Sequence, residues 1–314
     1  MPSPPSRGGF PVNLIVAISG VILLGAFLRQ RGIVSEEGSR GVSRVCADVL
    51  LPCMILNSMI FELTRETVTQ CLTLIAASLA ALACQYALGW LFVGITRAPR
   101  EDWSIYRYCI LFSNFGLIGI PVAEGLYGSR GVFYFTMCIL PYRILFNSYG
   151  NLMLRPQAEG GRRFSWRMLC NLPILAVVAG LTCSLLHWRL WGPLGEFVSM
   201  LSKANAPMGL LSVGLNLIGE DSAFHWRDLR IWLTVALRTL LLPAGACFLF
   251  LLLGLRGELL EIAVLAVALP CPAMVSVLSK RYGGNAVLAS TLVLLSTLCF
   301  SITLLPVLSL CKLL

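Results

Sequence analysis

The stretch Ser113-Asn-Phe-Gly-Leu-Ile-Gly-Ile-Pro121-Val-Ala-Glu-Gly-Leu-Tyr-Gly128 decides how this chain is read. It lies in an apolar run long enough to enter a bilayer, yet Asn114, Gly116, Gly119 and Pro121 argue against an unbroken helix. Proline lacks a backbone donor and clashes with the preceding turn. A helix broken in hydrocarbon survives only where its freed backbone groups are buried in protein, or face water or a ligand. The stretch is therefore either a kinked packing helix or a binding site.

Composition sets the context. The chain has 314 residues, of which 57% are hydrophobic and 12% charged, with a mean hydropathy of +0.82. Soluble domains carry roughly 25% charge. This predicts an all-α polytopic membrane protein with the lipid bilayer as its surroundings. The net charge of +9 is assigned to short orienting loops, so no nucleic-acid partner is expected. The 12 cysteines are scattered singly through apolar runs with no CxxC pair, the pattern of small buried hydrophobes. His187 and His225 are far apart. No metal site and no bound cofactor are expected. The first apolar run is followed by Arg29-Gln-Arg31 without a small-residue cleavage site, and is read as a retained helix.

Spans of about 20 apolar residues cross a bilayer. Ten stretches qualify: Val12–Leu28, Val45–Phe61, Val68–Ile95, Cys109–Leu126, Val132–Leu154, Met168–Leu186, Leu194–Ile218, Ile231–Leu253, Ile262–Leu278 and Val287–Leu310. Of the 24 Lys and Arg residues, 15 fall in odd-numbered loops, 6 in even loops and termini, and Arg143, Lys203 and Arg238 inside spans. That bias puts the odd loops in the cytoplasm and both termini on the non-cytoplasmic side, with a plasma (inner) membrane as the expected location.

The longest loop, residues 155–167, divides the chain into a first five-helix repeat (1–154) and a second (168–314). Five spans per half force opposite orientations, the geometry of an inverted repeat. The halves correspond in detail. Leu51-Pro52 in span two matches Ala206-Pro207 in span seven. Ile120-Pro121 and Tyr127-Gly128 in span four match Leu269-Pro270-Cys271-Pro272 and Tyr282-Gly283 in span nine. Pro52 and Pro121 are 69 positions apart, Pro207 and Pro272 65. Two interrupted spans at corresponding positions of two halves point to a transporter site.

These residues resemble the auxin efflux carrier family of membrane transporters, which includes bacterial malonate- and malate-type carriers and the plant PIN exporters. The resemblance runs end to end. It rests on Gly32-Ile-Val-Ser-Glu-Glu-Gly38 to Leu51-Pro52, on Ser113 to Gly128, and on Asn171-Leu-Pro173. It continues through Ala206-Pro207 with Ser212-Val-Gly-Leu215, Arg238-Thr-Leu-Leu-Leu-Pro243, Ala268-Leu-Pro270 to Lys280-Arg-Tyr282, and Ser296-Thr297 to Pro306. It implies ten helices in two inverted five-helix repeats, a bile acid/sodium symporter-like fold, with helices four and nine broken and crossing near mid-membrane. Many bacterial members, as aligned to this sequence, carry an asparagine where this chain has Met274.

The expected function is secondary active transport of a small organic anion, a carboxylate or auxin-like compound, by alternating access. Half-helix N-termini at a crossing favour an anion. The candidate substrate residues are Asn114, Gly116, Gly119, Pro121, Pro270, Pro272, Ala273 and Met274. Arg143 and Asn147 join them on one face of span five, since residues four apart share a helical face. Glu124 is read either as a proton carrier, for coupling to H+ or Na+, or as a rim residue beside Arg130. The hydroxyls of the last span, Ser296 and Thr297 among them, are expected to bond their own helix. No GxxxxGK[ST] loop is present, which argues against ATP coupling. Without a GxSxG or HExxH motif the chain is not expected to be an enzyme. A non-transporting sensor or scaffold that keeps the fold is the alternative, and a homodimer the candidate assembly.

Overall fold

The structure, a computed structural model, describes residues 12–60, 63–155, 171–188, 190–217 and 227–314. Its regular structure is entirely helical, with no strand among the described residues. In chain order the helices are α1 (Val12–Gln30), α2 (Glu36–Met59), α3 (Arg65–Ile95), α4 (Trp103–Leu111), α5 (Ile120–Leu145), α6 (Leu172–Leu185), α7 (Gly192–Leu217), α8 (Leu229–Leu252), α9 (Gly257–Ala268), α10 (Met274–Arg281) and α11 (Ala286–Leu313). Most of the loop at 155–167 lies outside the described residues, as do Phe61, Met168 and Ile218 at the predicted span ends, and His225.

Several helices begin where a short polar side chain caps the first free amides. Thr64 accepts from the Thr67 N–H at 3.2 Å, Asn171 from Ile174 at 3.0 Å, and Asn285 from Leu288 at 3.0 Å. Three prolines inside apolar runs, Pro52, Pro121 and Pro243, are absorbed in a common way. Five-residue wide turns, Cys46–Leu50, Phe115–Gly119 and Leu237–Leu241, immediately precede Leu51-Pro52, Ile120-Pro121 and Leu242-Pro243. In each, the residue before proline donates five residues back, Leu51 to Cys46, Ile120 to Phe115 and Leu242 to Leu237. The ladder widens by one residue where the proline ring would strike the carbonyl four positions earlier.

Pro121 consequently does not break its helix, contrary to the expectation from sequence. The interruption lies upstream at Phe112–Asn114, between α4 and the wide turn. The second interruption, Leu269–Ala273, separates α9 from α10. The first arm ends where Gly128 (φ +64°, ψ −161°) reverses the chain inside α5. Past α10, Gly283 has φ +71°. Only glycine enters these backbone regions without strain, so both Tyr-Gly pairs mark chain reversals.

Two packing groups are visible. In one, α1 packs on α7, α7 on α2 and α2 on α6. Gly25 and Gly214 bring α1 and α7 together so closely that a Cβ on Gly214 would lie 2.0 Å from the Ile22 carbonyl oxygen. Gly180 of α6 approaches Met59 of α2, where a Cβ would meet Met59 Cβ at 2.4 Å. Small residues permit such approach where lipid supplies no hydrophobic drive. Gly20, in contrast, faces open space. The other group contains α3, α4, α5 and α8 to α11; α4 and α9, which lead into the two interruptions, are largely buried in it.

By length and composition, six helical stretches among the described residues suffice to cross a membrane: Asn13–Gln30, Glu36–Met59, Arg65–Ile95, Arg100–Met153, Leu229–Leu252 and Ala286–Leu313. This is fewer than the ten apolar stretches of the sequence, for physical reasons. Arg100–Met153 holds two apolar arms joined at Gly128. The Ile262–Leu278 stretch is divided by its interruption into helices of 12 and 8 residues. The α6 helix has only 14 residues.

Candidate functional site

The two interruptions touch. The backbone N–H of Asn114 donates to the carbonyl of Pro270 at 3.0 Å. The hydroxyl of Ser113 donates to the Ala266 carbonyl at 3.3 Å, and the thiol of Cys271 lies 4.0 Å from the Cys109 carbonyl. Each interruption thus contacts a carbonyl in the helix leading to the other. Gly119 completes the contact: a Cβ there would lie 2.6 Å from Leu269 Cδ1 and 2.7 Å from Phe135 Cζ. The carbonyl that Pro121 frees, that of Leu117, faces Gly209 of α7, whose built Cβ would lie 3.3 Å away. Gly116 is held against Leu51 of α2.

Asn114 is 7% exposed, and its side-chain Nδ2 is a buried donor with no partner. A buried donor left unpaired costs about 1–3 kcal/mol, so its retention is an observation about ligand chemistry. Arg143 adds a second. It is 8% exposed in an apolar helix, and no side chain among the described residues offers its guanidinium a carboxylate or hydrogen-bond acceptor. Arg143 and Glu124 form no ion pair. The rings of Phe115 and Tyr142, each the chain neighbour of one of these residues, pack with centroids 5.2 Å apart. Close by in the same helical group, the Nε2 of Gln85 is also a buried unpaired donor, while its Oε1 accepts from the Tyr142 hydroxyl at 2.8 Å.

The other expected residues are placed as follows. Pro121, Pro270 and Pro272 are buried, Ala273 is half-buried, and Met274 is 45% exposed at the start of α10. The Pro270 carbonyl accepts from the Asn114 N–H. The Asn147 side chain donates to the Arg143 carbonyl at 2.8 Å, and Asn151 to the Asn147 carbonyl at 3.0 Å. Their amide donors are spent on their own helix. Glu124 is half-buried without a cation partner, and Arg130 instead stacks on Tyr134 at 5.5 Å. Lys203 is exposed. The acid that touches the first arm is Glu261, which accepts from the Tyr127 hydroxyl at 2.9 Å.

Two residues carry more than their sequence positions disclosed. Ser296 bonds its own helix through Val293 at 3.1 Å as expected, but its oxygen also accepts from the Cys271 N–H at 3.0 Å, bracing the second interruption. Arg238, fully buried, donates from Nε to the Leu269 carbonyl and from Nη1 to the Ile110 carbonyl, both at 2.9 Å. A cation one turn before Pro243 was a signal; its two carbonyl partners, 31 and 128 residues away, were not.

Two surface clefts lie elsewhere. One of about 450 Å³ is lined by Glu101, Asp102, Arg155, Tyr282 and Asn285; the other, about 530 Å³ and apolar, lies between α3 and α5. Neither is lined by Asn114 or Pro270.

An apolar helical chain with interrupted helices meeting in its interior defines a membrane protein of the transporter class. Comparison with known proteins gives the family. The model described as "Membrane transport protein" matches residues 11–308, and the chain belongs to that family, the auxin efflux carriers. It is 27% identical over 297 residues to an uncharacterized transporter of Methanothermobacter thermautotrophicus, covering 90% of this chain and 93% of that one. It is 30% identical over 141 residues to a probable auxin efflux carrier component 5b of Oryza sativa subsp. japonica, covering 43% and 38%. It is 23% identical over 277 residues to the uncharacterized transporter YfdV of Escherichia coli, covering 83% and 85%. The protein is an integral membrane transporter and not an enzyme.

Proposed function

We propose that the protein is a secondary transporter of a small organic anion, bound where the two interrupted helices meet. The observation that carries this reading is the chemistry of the unpaired groups. Asn114 Nδ2, Gln85 Nε2 and the Arg143 guanidinium are all donors or cations; among the described residues the buried unpaired side-chain atoms also include nitrogens of Asn171 and Arg238, the hydroxyls of Tyr108, Thr136 and Ser279, and one pure acceptor, Asn205 Oδ1. A carboxylate is the simplest ligand that pairs an amide donor with a buried cation. The Phe115 N–H is taken by the Ser113 carbonyl at 2.9 Å; the Gly116 and Leu117 amides that follow stand at a helix start, where backbone donors are left over.

The finer architecture belongs to the same reading. Ten spans in two inverted repeats, residues 1–154 and 168–314, bring α4 with the first arm of α5 into correspondence with α9 and α10. The reciprocal carbonyl contacts of Ser113 and Cys271, the paired Tyr-Gly reversals and the α1–α7 and α6–α2 contacts support it. Alternating access then moves the group carrying the interruptions against the α1, α2, α6, α7 group. The bias of basic residues between the loops supports both termini on the non-cytoplasmic side, and a plasma-membrane location is part of the same proposal.

Uptake of a radiolabelled dicarboxylate by proteoliposomes tests the proposal. Asn114→Ala and Pro121→Ala are expected to lose uptake while keeping membrane expression. Normal uptake by both would exclude the meeting point as the site.

A further inference from the structure

Arg238 is 0% exposed in an apolar span. A charge in that position needs a counter-charge. The ionisable groups around it are Cys271, Tyr142 and Cys109, with no carboxylate among them. What balances it is backbone. Ile110 stands in the last turn of α4, and Leu269 is the residue on which α9 ends. A helix C-terminus carries roughly half a negative elementary charge. Two converging C-termini therefore balance one guanidinium.

Three further carbonyls at these ends are also engaged: Ala266 accepts from Ser113, Pro270 from Asn114, and Cys109 faces the Cys271 thiol. In transporters coupled to an alkali cation, unwound carbonyls and half-helix C-terminal ends are the groups that coordinate the ion. In this chain they are held by Arg238 and its neighbours. A sodium ion at the same carbonyls would have to displace the guanidinium or place a second full charge against the same two half-charges.

We propose that Arg238 is a tethered cation filling the carbonyl site a coupling sodium ion would otherwise use, so that anion binding at the interruptions proceeds without sodium. The functional consequence rests on the anion-site reading above; the charge balance does not.

The test uses the purified full-length protein and its melting temperature, which a bound ion or ligand raises by mass action. Sodium is titrated against choline at constant ionic strength, alone and with a carboxylate panel that includes malonate. The wild type is expected to melt at the same temperature in both salts, and any carboxylate shift to be equal in both. A saturable sodium-specific rise, or a carboxylate shift that needs sodium, overturns the proposal. A flat sodium curve with no carboxylate shift in either salt supports the tethered cation and counts against the anion site, so the two readings fail separately. Arg238→Gln empties the carbonyl site of charge and is expected to gain stabilisation by sodium over choline. A folded Arg238→Gln protein that melts like the wild type and ignores sodium overturns the proposal. Where Arg238→Gln does not fold, Arg238→Lys is expected to restore folded protein by restoring the charge; failure to do so shows that charge is not what the site requires.

Discussion

At the first interruption the chain leaves helix over Phe112–Asn114 and carries a buried amide with a free donor; at the second it leaves over Leu269–Ala273 and carries two prolines and a cysteine. The first offers ligand chemistry through a side chain. The second offers backbone: the Pro270 carbonyl anchors Asn114, and the Cys271 N–H is pinned by Ser296. Proline at two of these positions fixes φ and removes donors, which keeps the acceptor in place. On the proposed reading, the difference teaches that one arm of a paired structure binds while the other positions.

Breaking the binding arm should have the largest effect. Asn114→Ala removes a donor to a charged group, worth about 1.5–3 kcal/mol. Uptake or affinity is expected to fall by roughly ten- to a hundredfold at about 1.4 kcal/mol per decade, with expression unchanged. Next, Gly119→Val pushes a side chain into Leu269 and Phe135. Overpacking of this kind costs on the order of 2–3 kcal/mol, and a lower melting temperature with reduced uptake is expected. On the positioning arm, Ser296→Ala leaves the Cys271 N–H unpaired, at about 1–2 kcal/mol of stability. A change in chemical denaturation with a smaller loss of uptake than Asn114→Ala is the expected pattern. Tyr127→Phe removes the bond to Glu261 and is expected to cost about 0.5–1.5 kcal/mol. Smallest of all, Met274→Asn alters a side chain that is 45% exposed, and transport kinetics within about twofold of wild type are expected, as for a surface substitution. A large gain from Met274→Asn would instead make the two arms equivalent in binding.

Much of this arrangement was legible in the sequence because it is written in residue types that backbone geometry requires. Pro121, Pro270, Pro272, Gly128 and Gly283 announce local backbone events, and their spacing is the basis of the proposed repeat. Asn114 in an apolar run signals a polar requirement whatever its partner. The exact place of the first interruption was not legible. A wide turn accommodates Pro121 and moves the break upstream, an outcome that depends on how the ladder relaxes and not on residue type. Nor was the division of labour among polar residues. Asn147 and Asn114 look alike in sequence, but one spends its amide on the Arg143 carbonyl and the other has nowhere to spend it. Arg238 shows the same limit: its partners come from two distant helices that only tertiary packing brings together.

The most direct test of the account is the melting temperature of wild type and Asn114→Ala across a carboxylate titration. The account predicts that Asn114→Ala melts no lower than the wild type without ligand, that the wild type rises with carboxylate, and that Asn114→Ala does not. Equal carboxylate shifts in the two proteins would contradict it.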